Sequence, residues 1–376
     1  MRNGDVSMAE RGLHHGEKSI PPLPRLEPAR DVESLVQPGS PRDYKVGESV
    51  DPRLAFGTAL ADIFRRNLGG AAKIPLVAVD CDLAESTRLS MIHDEFPNNY
   101  LECGIAEHNA ATLAAALSRD GCVPFFADFG VFGLDETYGQ HRMSDFNKTS
   151  LKLILTHTGL EVGQDGKTHQ CIDYISLLNN LYGYKLIIPA DGNQIDRVIR
   201  YVATHNGNFV VAIGRSPKPT LCDFERKNAL YASSYAFSYG KSEWLREGSE
   251  GCIIACGSMV WRALDISDFF AAHDKRIGVL NVSCPKEIAL DDIRKAAATG
   301  LILTYEDHNV LTGIGNIVGM MLAENSIACS FKRFGIRKYG LSADPERQYA
   351  VQEISKDDLI AEITARTAGI SLKGEV

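Results

Sequence analysis

The chain has 376 residues, of which 44% are hydrophobic and 23% are charged, and its net charge is -8. This composition predicts a globular protein of two or three domains, and the negative charge argues against nucleic acid or an anionic membrane as the main partner. No apolar run reaches the roughly 18 residues that span a bilayer. We expect no secretion signal, and we expect the scattered cysteines to be free thiols in a reducing cytoplasm.

Residues 1–49 are predicted to form an irregular N-terminal arm. Frequent prolines between residues 21 and 41 interrupt any helix, and the segment shows no apolar period. Such an extended arm could wrap a partner.

From residue 51 onward, short apolar strands alternate with helices. The predicted strands are 75–79, 123–127, 151–156, 185–188 and 209–213. The predicted helices are 52–66, 107–117, 132–146, 172–181 and 193–204. This alternation predicts a parallel sheet covered on both faces, and we assign residues 50–227 to this first domain.

A second series follows the polar stretch around residues 217–228. Its predicted strands are 252–255, 277–282 and 301–304, and its predicted helices are 259–270, 314–322 and 357–366. We assign residues 228–376 to a second α/β domain. The predicted fold class is therefore α/β, with two doubly wound domains of mostly parallel sheets behind an irregular arm.

The segment Gly104–Asn109 places Glu107 among small and apolar residues at the start of a helix. One interpretation is a carboxylate that stabilises the helix N-terminus. The other is a carboxyl in an apolar pocket beside Ile105 and Ala106, where burial would raise its pKa. Such a group can exchange a proton with a ring nitrogen of a cofactor.

A second polar cluster combines His157 with the segment Gly163–Gln170, which contains Asp165 and His169. The glycines on either side of Asp165 allow a sharp turn that leaves its side chain free. His157 ends a predicted strand, at the edge where α/β sheets bind ligands. An Asp-Gly turn with a capping histidine is the plainer interpretation, but the combination favours a site for a polyhydroxylated substrate.

Aromatic and basic residues add to this picture. Phe129 and Phe132 either pack in the core or clamp a planar ring. Arg53 opens the first helix, Ser86 lies in the loop after the first strand, and Arg215 follows the last strand of the first series. Arginines at such positions suit bidentate binding of phosphate.

These residues carry a resemblance to a known family. The chain from about residue 51 to 370 resembles the C-terminal half of a transketolase, a thiamine-diphosphate-dependent enzyme. The matching segments are Gly104-Ile105-Ala106-Glu107, the pair Phe129 and Phe132, His157, Gly163–Gln170, Gly257–Val260 and Glu306–Asn309. The resemblance implies transfer of a two-carbon ketol unit from a ketose phosphate to an aldose.

The resemblance also implies a cofactor-binding role for several residues. Glu107 would contact N1′ of the aminopyrimidine, in a pocket with Ile105. Phe129 and Phe132 would line that pocket, although the family's frequent tyrosine three residues further on is Asp135 here. The residues that would approach the thiazolium are Asp82 and Leu83.

The remaining residues would bind the sugar. His157, Asp165 and His169 would contact ketose hydroxyls, and with Glu107 they form the predicted catalytic set. Arg53, Ser86, His157 and Arg215 would hold the sugar phosphate. Many transketolases have Asp where this chain has Thr158.

The sequence contains no Gly-Asp-Gly segment, with which the family holds the diphosphate and its metal ion. We therefore expect no metal ligands in this chain. Thiamine diphosphate and Mg²⁺ or Ca²⁺ would be bound mainly by a separate N-terminal transketolase subunit, in an α2β2 assembly.

Three alternatives stay open. Deoxyxylulose phosphate synthases share the Gly-Ile-Ala-Glu start, but they do not typically have the equivalent of His157 and form one long chain. The β subunits of 2-oxoacid dehydrogenases are separate chains but lack the Asp-Gly-x-Thr-His loop. A non-catalytic regulatory subunit is the third.

Overall fold

The computed structural model describes residues 31–69 and 74–368, within which there are thirteen strands and twelve α-helices. The strands are β1 Ser49–Val50, β2 Leu76–Asp80, β3 Tyr100–Glu102, β4 Val123–Phe129, β5 Lys152–Thr156, β6 Tyr184–Ile187, β7 Asn208–Ala212, β8 Lys218–Pro219, β9 Glu243–Arg246, β10 Gly251–Ala255, β11 Ile277–Asn281, β12 Leu301–Asn309 and β13 Ser330–Ile336. The helices are α1 Pro52–Leu68, α2 Ala84–Thr87, α3 Ser90–Glu95, α4 Glu107–Arg119, α5 Tyr138–Phe146, α6 Tyr174–Asn179, α7 Gly192–Ala203, α8 Met259–Ala271, α9 Leu290–Ala297, α10 Ile314–Glu324, α11 Pro345–Val351 and α12 Lys356–Ala368.

The first sheet has six strands in the order β3-β2-β4-β5-β7-β6, and every pair of neighbours is parallel. Side chains alternate between its two faces, and both faces are buried. Phe125 and Ile154 face α1 and α7, whereas Phe126 and Leu155 face α4. The predicted first parallel sheet is confirmed.

The second sheet has the order β13-β12-β10-β11-β9, and only its edge strand β9 is antiparallel. One face shares a continuous core with the first sheet, because Ile254, Leu280 and Ile302 pack in the same cluster as Phe126 and Leu155. The predicted α/β fold with two mostly parallel sheets is confirmed. The edge strands β9 and β13 were not predicted, because their charged and half-buried residues give no apolar pattern.

Two predicted helices differ from the observed ones. The helix predicted at 132–146 is a π-helical turn, Val131–Glu136, followed by α5. Between them the Thr137 hydroxyl donates to the Gly133 carbonyl at 2.8 Å. The helix predicted at 172–181 shortens to α6, because the Ile172 carbonyl accepts the amide of Asn309 on β12.

The strand predicted at 301–304 continues as β12 to Asn309. Its polar extension is buried because Glu306 accepts hydrogen bonds from the first amides of α10, those of Ile314 and Gly315. The sequence pattern shows that these residues are charged, but it does not show the backbone amides that bind Glu306 in the folded chain.

Residues 1–30 of the predicted arm lie outside the described residues. The described part, 31–48, has one short helical turn and packs on the first domain of this chain. Arg197 and Arg200 of α7 donate to the carbonyls of Arg42 and Pro38, and β1 pairs with β8. The described part of the arm is irregular, as predicted, and it packs against its own chain.

All nine cysteines are free thiols, and five of them are buried. Within residues 31–69 and 74–368, no helix is long and apolar enough to cross a membrane.

The arm is anchored by a buried ion pair. The Lys152 amine contacts Glu33 Oε1 at 3.1 Å, and neither side chain is exposed to solvent. The amine also donates to the carbonyls of His205 and Gly207. Burial lowers the pKa of Lys152 to about 8.

Replacing Glu33 with Ala leaves this ammonium buried without its counter-charge. We expect the free energy of unfolding to fall by about 3–5 kcal/mol, measured by urea denaturation. The matched control is Glu95→Ala, which breaks the exposed pair with Arg65 and should cost less than about 1 kcal/mol. Equal losses in the two variants would contradict the anchoring role.

Candidate active site

Parallel strands end at the same edge of a sheet, so the residues after β2, β4, β5 and β7 come together. His157 directly follows β5 and has a left-handed backbone, with φ +58°. Its ring is stacked on Phe129, the last residue of β4, with 3.7 Å between ring centroids. Only 2% of His157 is exposed, so the histidine is a buried residue at this edge of the sheet.

Arg53 reaches the same ring from the start of α1. Asp51 caps this helix by accepting the backbone amide of Arg53, and it also accepts two hydrogen bonds from the guanidinium at 2.9 and 3.0 Å. The remaining Arg53 nitrogen, Nη1, lies 3.3 Å from the Ser86 carbonyl and 3.5 Å from Nε2 of His157. The helix cap therefore orients the arginine toward the histidine.

The tautomer of His157 follows from these contacts. A guanidinium can only donate, so Nε2 of His157 accepts and the ring proton is on Nδ1, 2.8 Å from the Thr156 hydroxyl. Burial, and then the charges of Arg53 and Arg215, lower the pKa of His157 to about 3. The histidine is thus neutral at physiological pH.

The predicted glycine-rich loop closes over this edge as two short helical turns, Gly159–Asp165 and Lys167–His169. Asp165 forms an ion pair with Arg215 at 3.5 Å. The His169 ring packs edge-on against Phe132, with 5.2 Å between centroids. The structure therefore brings the predicted hydroxyl-binding and phosphate-binding residues into one group.

This group has an excess of positive charge. Its three arginines outnumber its two carboxylates, which gives one net positive charge. These residues are Arg53, Arg88, Arg215, Asp51 and Asp165. An anionic ligand is favoured at such a place.

Three of the predicted cofactor-binding residues, Asp82, Leu83 and Ile105, lie in a second group. Glu102 accepts the backbone amides of Asp82 and Gly104 at 2.9 and 2.7 Å and so joins two loops. The amide of Leu83 donates to Asp80 at 2.8 Å. The loop that ends in Gly104 leads on to Ile105 and Glu107.

Glu107 is the first residue of α4, as predicted, but the expected apolar pocket is not formed by this chain alone. Glu107 is half-buried and Ile105 is 81% exposed. The physical reason is that Ile105, which was expected to line the pocket, is itself largely exposed, and Glu107 is only partly covered.

The two aromatic residues pack near each other beside the loop. The rings of Phe129 and Phe132 are within 16° of parallel, with 6.1 Å between their centroids, and Phe129 is buried. Asp135 adds no ring to this pair. It accepts a hydrogen bond from the Cys171 thiol, and burial raises its pKa to about 7.

Sequence reasoning missed Asp128, which connects the two groups. One of its carboxylate oxygens accepts the amide of Phe129 at 2.7 Å, and the other is buried with no hydrogen-bond partner among the described residues. Burial, together with the charges of Glu107 and Asp80, raises its pKa to about 8. The sequence feature that could have identified Asp128 is that it is the one carboxylate inside the apolar strand β4.

No group of three or more His, Cys, Asp or Glu side chains suited to a metal ion occurs in the part of the chain that the structure describes.

Comparison with known families matches this architecture. Residues 48–220 match the transketolase pyrimidine-binding domain, and residues 240–359 match the transketolase C-terminal domain. The chain belongs to the transketolase family. The domain boundary predicted at residues 227 and 228 falls between the two matches and stays a prediction.

Several transketolase relatives are split chains. The chain is 27% identical over 297 residues to a putative transketolase C-terminal section of Methanocaldococcus jannaschii, covering 75% of this chain and 91% of that protein. It is 28% identical to one subunit of the apulose-4-phosphate transketolase of Phocaeicola vulgatus, covering 67% of this chain and 79% of that subunit. By contrast, it spans about half of single-chain transketolases such as the rat enzyme, covering 51% of it.

A solved structure shares the fold of this transketolase-like chain. It is a split-gene transketolase in an inactive β4 tetramer, with a TM-score of 0.72 and 26% identity. The match covers 85% of this chain and 99% of the other. The homologues of this chain thus include subunits of split transketolases.

The low pKa of His157 predicts a pH dependence of stability. In the unfolded chain a histidine binds a proton below about pH 6.5, whereas folded His157 does so only below about pH 3. The folded state should therefore lose stability as the pH falls through this window, by about 2 kcal/mol at pH 5.

The variant His157→Asn tests this, because Asn tolerates the left-handed backbone and does not titrate. Urea denaturation at pH 7.5 and pH 5 should show the stability difference between wild type and variant shrinking by this amount. Parallel pH profiles would show that His157 is not buried as described.

Proposed function

We propose that this chain is the pyrimidine-binding subunit of a two-component transketolase. It would transfer a two-carbon ketol unit from a ketose phosphate to an aldose, with the diphosphate and metal site on a partner subunit. The observation that supports this proposal is the group around His157, where arginines meet the side chains predicted to bind hydroxyls at one sheet edge.

The chain's residues fit the pyrimidine half of thiamine diphosphate. Phe129 and Phe132 present parallel rings, and Glu107 presents a half-exposed carboxylate beside exposed Ile105. Asp82 and Leu83 belong to the loop that Glu102 ties to the Glu107 segment. When bound, the cofactor supplies the carbon nucleophile that carries the two-carbon unit.

In this proposal Glu107 holds a proton at N1′ of the aminopyrimidine. A carboxyl that changes its protonation state needs an environment that water does not dominate. Because one side of Glu107 is open in this chain, the partner subunit would cover it. Asp128, kept neutral by burial, would limit the negative charge beneath it.

The sugar phosphate would bind at Arg53, Ser86, His157 and Arg215. Burial is the first cause of the low pKa of His157, and the charges of Arg53 and Arg215 add to it, so a phosphate would offset only this second part. The neutral imidazole would offer Nε2 as a hydrogen-bond acceptor to a sugar hydroxyl. Asp165 and His169 would bind further hydroxyls, since both line the same edge.

Relatives support a partner subunit. One is named as a subunit of an apulose-4-phosphate transketolase, and another is named as the SqwH subunit of a 6-deoxy-6-sulfo-D-fructose transketolase. The solved β4 tetramer of a split-gene transketolase is inactive. From these relatives we expect this chain to be inactive alone and to assemble with its partner as α2β2.

Reconstitution tests the proposal directly. The chain should be mixed with a subunit that carries a transketolase diphosphate-binding domain, with thiamine diphosphate and Mg²⁺. Ketol transfer from xylulose 5-phosphate to an aldose phosphate should appear only when both subunits are present. If the assembled complex transfers no ketol unit, the proposed activity is wrong.

The variant Glu107→Gln tests the role of the carboxyl. In the reconstituted complex we expect at least about a hundredfold loss of kcat, because the amide cannot exchange the proton. Circular dichroism and subunit assembly should stay unchanged. The control is Glu324→Gln at the end of α10, which should retain full activity; retained activity of Glu107→Gln would remove Glu107 from the mechanism.

A further inference from the structure

The loop that carries Asp165 and His169 is in contact with the second domain. The segment 340–348, which ends in helix α11, lies against it. Within that helix Gln348 is completely buried, although glutamine is a polar residue. Burying an amide is costly unless its hydrogen bonds are satisfied, so its partners are informative.

Gln348 uses both ends of its amide. Its nitrogen lies 3.1 Å from the Leu160 carbonyl and 3.3 Å from the Gly163 carbonyl, both in the loop. Its oxygen accepts the side-chain amide of Gln170, at the end of the loop, and the backbone amide of Leu341. Gln348 therefore connects the second domain to the loop at three places, which are its start, Gly163 and its end.

A parallel connection begins one residue further on. The Tyr349 hydroxyl donates to Asp307 at 2.9 Å, and Asp307 accepts the backbone amide of Leu160 at 3.0 Å. The Ser342 hydroxyl also donates to the Gln164 carbonyl. The loop is thus held along its length by hydrogen bonds from the C-terminal domain.

The loop needs this support because its backbone is irregular. Gly163 and Gly166 both have left-handed backbones, with φ +72° and +77°. Asp165 lies between them and has an ion pair with Arg215 that is more than a third exposed, which is a weak constraint. In the first domain Arg215 donates to the Val162 carbonyl and Lys218 pairs with Glu161. The hydrogen bonds from the second domain add to these in setting the direction of the Asp165 side chain.

We infer that Gln348 is a positioning residue through which the C-terminal domain sets the conformation of the loop 159–169, here called the substrate loop. The conformation of this loop in turn sets the affinity for the sugar. This inference rests on the proposed function for the identity of the ligand. It does not make Gln348 a catalytic residue, since its hydrogen bonds to the loop go to Leu160, Gly163 and Gln170 and not to the predicted substrate-binding side chains.

Gln352, which follows the C-terminal end of helix α11, offers a matched control. Gln352 is also buried, at 3% exposure, but it bonds within its own domain, to the Lys338 carbonyl and the Arg337 amide. Replacing either glutamine with Met keeps the side-chain length and removes the hydrogen bonds. Both variants therefore remove the hydrogen bonds of a buried glutamine, but only Gln348→Met removes bonds to the substrate loop.

The experiment compares Gln348→Met with Gln352→Met in the reconstituted complex. For Gln348→Met we expect the KM for xylulose 5-phosphate to rise about tenfold with kcat changed less, as loss of a few hydrogen bonds predicts. Hydrogen exchange of amides in the loop 159–169 should be about tenfold faster. Gln352→Met should leave both quantities within about twofold of wild type.

The outcomes separate this inference from the proposed function. If loop exchange and KM in Gln348→Met match those of Gln352→Met, the inference is overturned. If the wild-type complex transfers no ketol unit but loop exchange is accelerated only in Gln348→Met, the proposed function fails and the positioning role stands. Should Gln348→Met not fold, Tyr349→Phe removes the hydroxyl that supports Asp307, and unchanged loop exchange there would also overturn the inference.

Discussion

The left-handed backbone of His157 is the constraint around which the candidate site is arranged. A non-glycine residue pays about 1–2 kcal/mol for this conformation, so the surroundings must hold it. The next two residues supply this support, because the amides of Thr158 and Gly159 donate to the carbonyls of Ile213 and Cys171. The turn places the imidazole on Phe129 and directs Nε2 toward Arg53, so a neutral histidine and an arginine meet at this sheet edge.

The carboxyl groups of this site differ in burial, in charge partners and therefore in the role that each can have. Asp128 is buried and has a raised pKa, whereas Asp165 is partly exposed and paired with Arg215. Asp51 is neutralised by two arginines and serves to orient them. Glu107 combines a helix N-terminus with partial exposure, and this is the property expected of a carboxyl that meets a ligand brought by another surface.

The two sheets are not independent. They share one continuous apolar core, and the loop after β5 is bonded to the end of β12 and to α11. The second domain contributes none of the predicted substrate-binding side chains, yet it determines the path of the loop that carries two of them. The loop also has partners in the first domain, where Arg215 donates to the Val162 carbonyl and Lys218 pairs with Glu161, so both domains contribute to its conformation.

The sequence by itself determined the α/β fold, since apolar strands and amphipathic helices alternate in a way that permits few other arrangements. It also determined which residue types meet at the sheet edge, because parallel strands end on one side and His157, Arg215 and the Gly163–Gln170 loop all follow strands. Only the tertiary structure decided the exposure of Glu107, the connecting position of Asp128 and the support from Gln348. Each of these depends on contacts between residues far apart in the chain, and burial of a polar side chain depends on partners that no local pattern encodes.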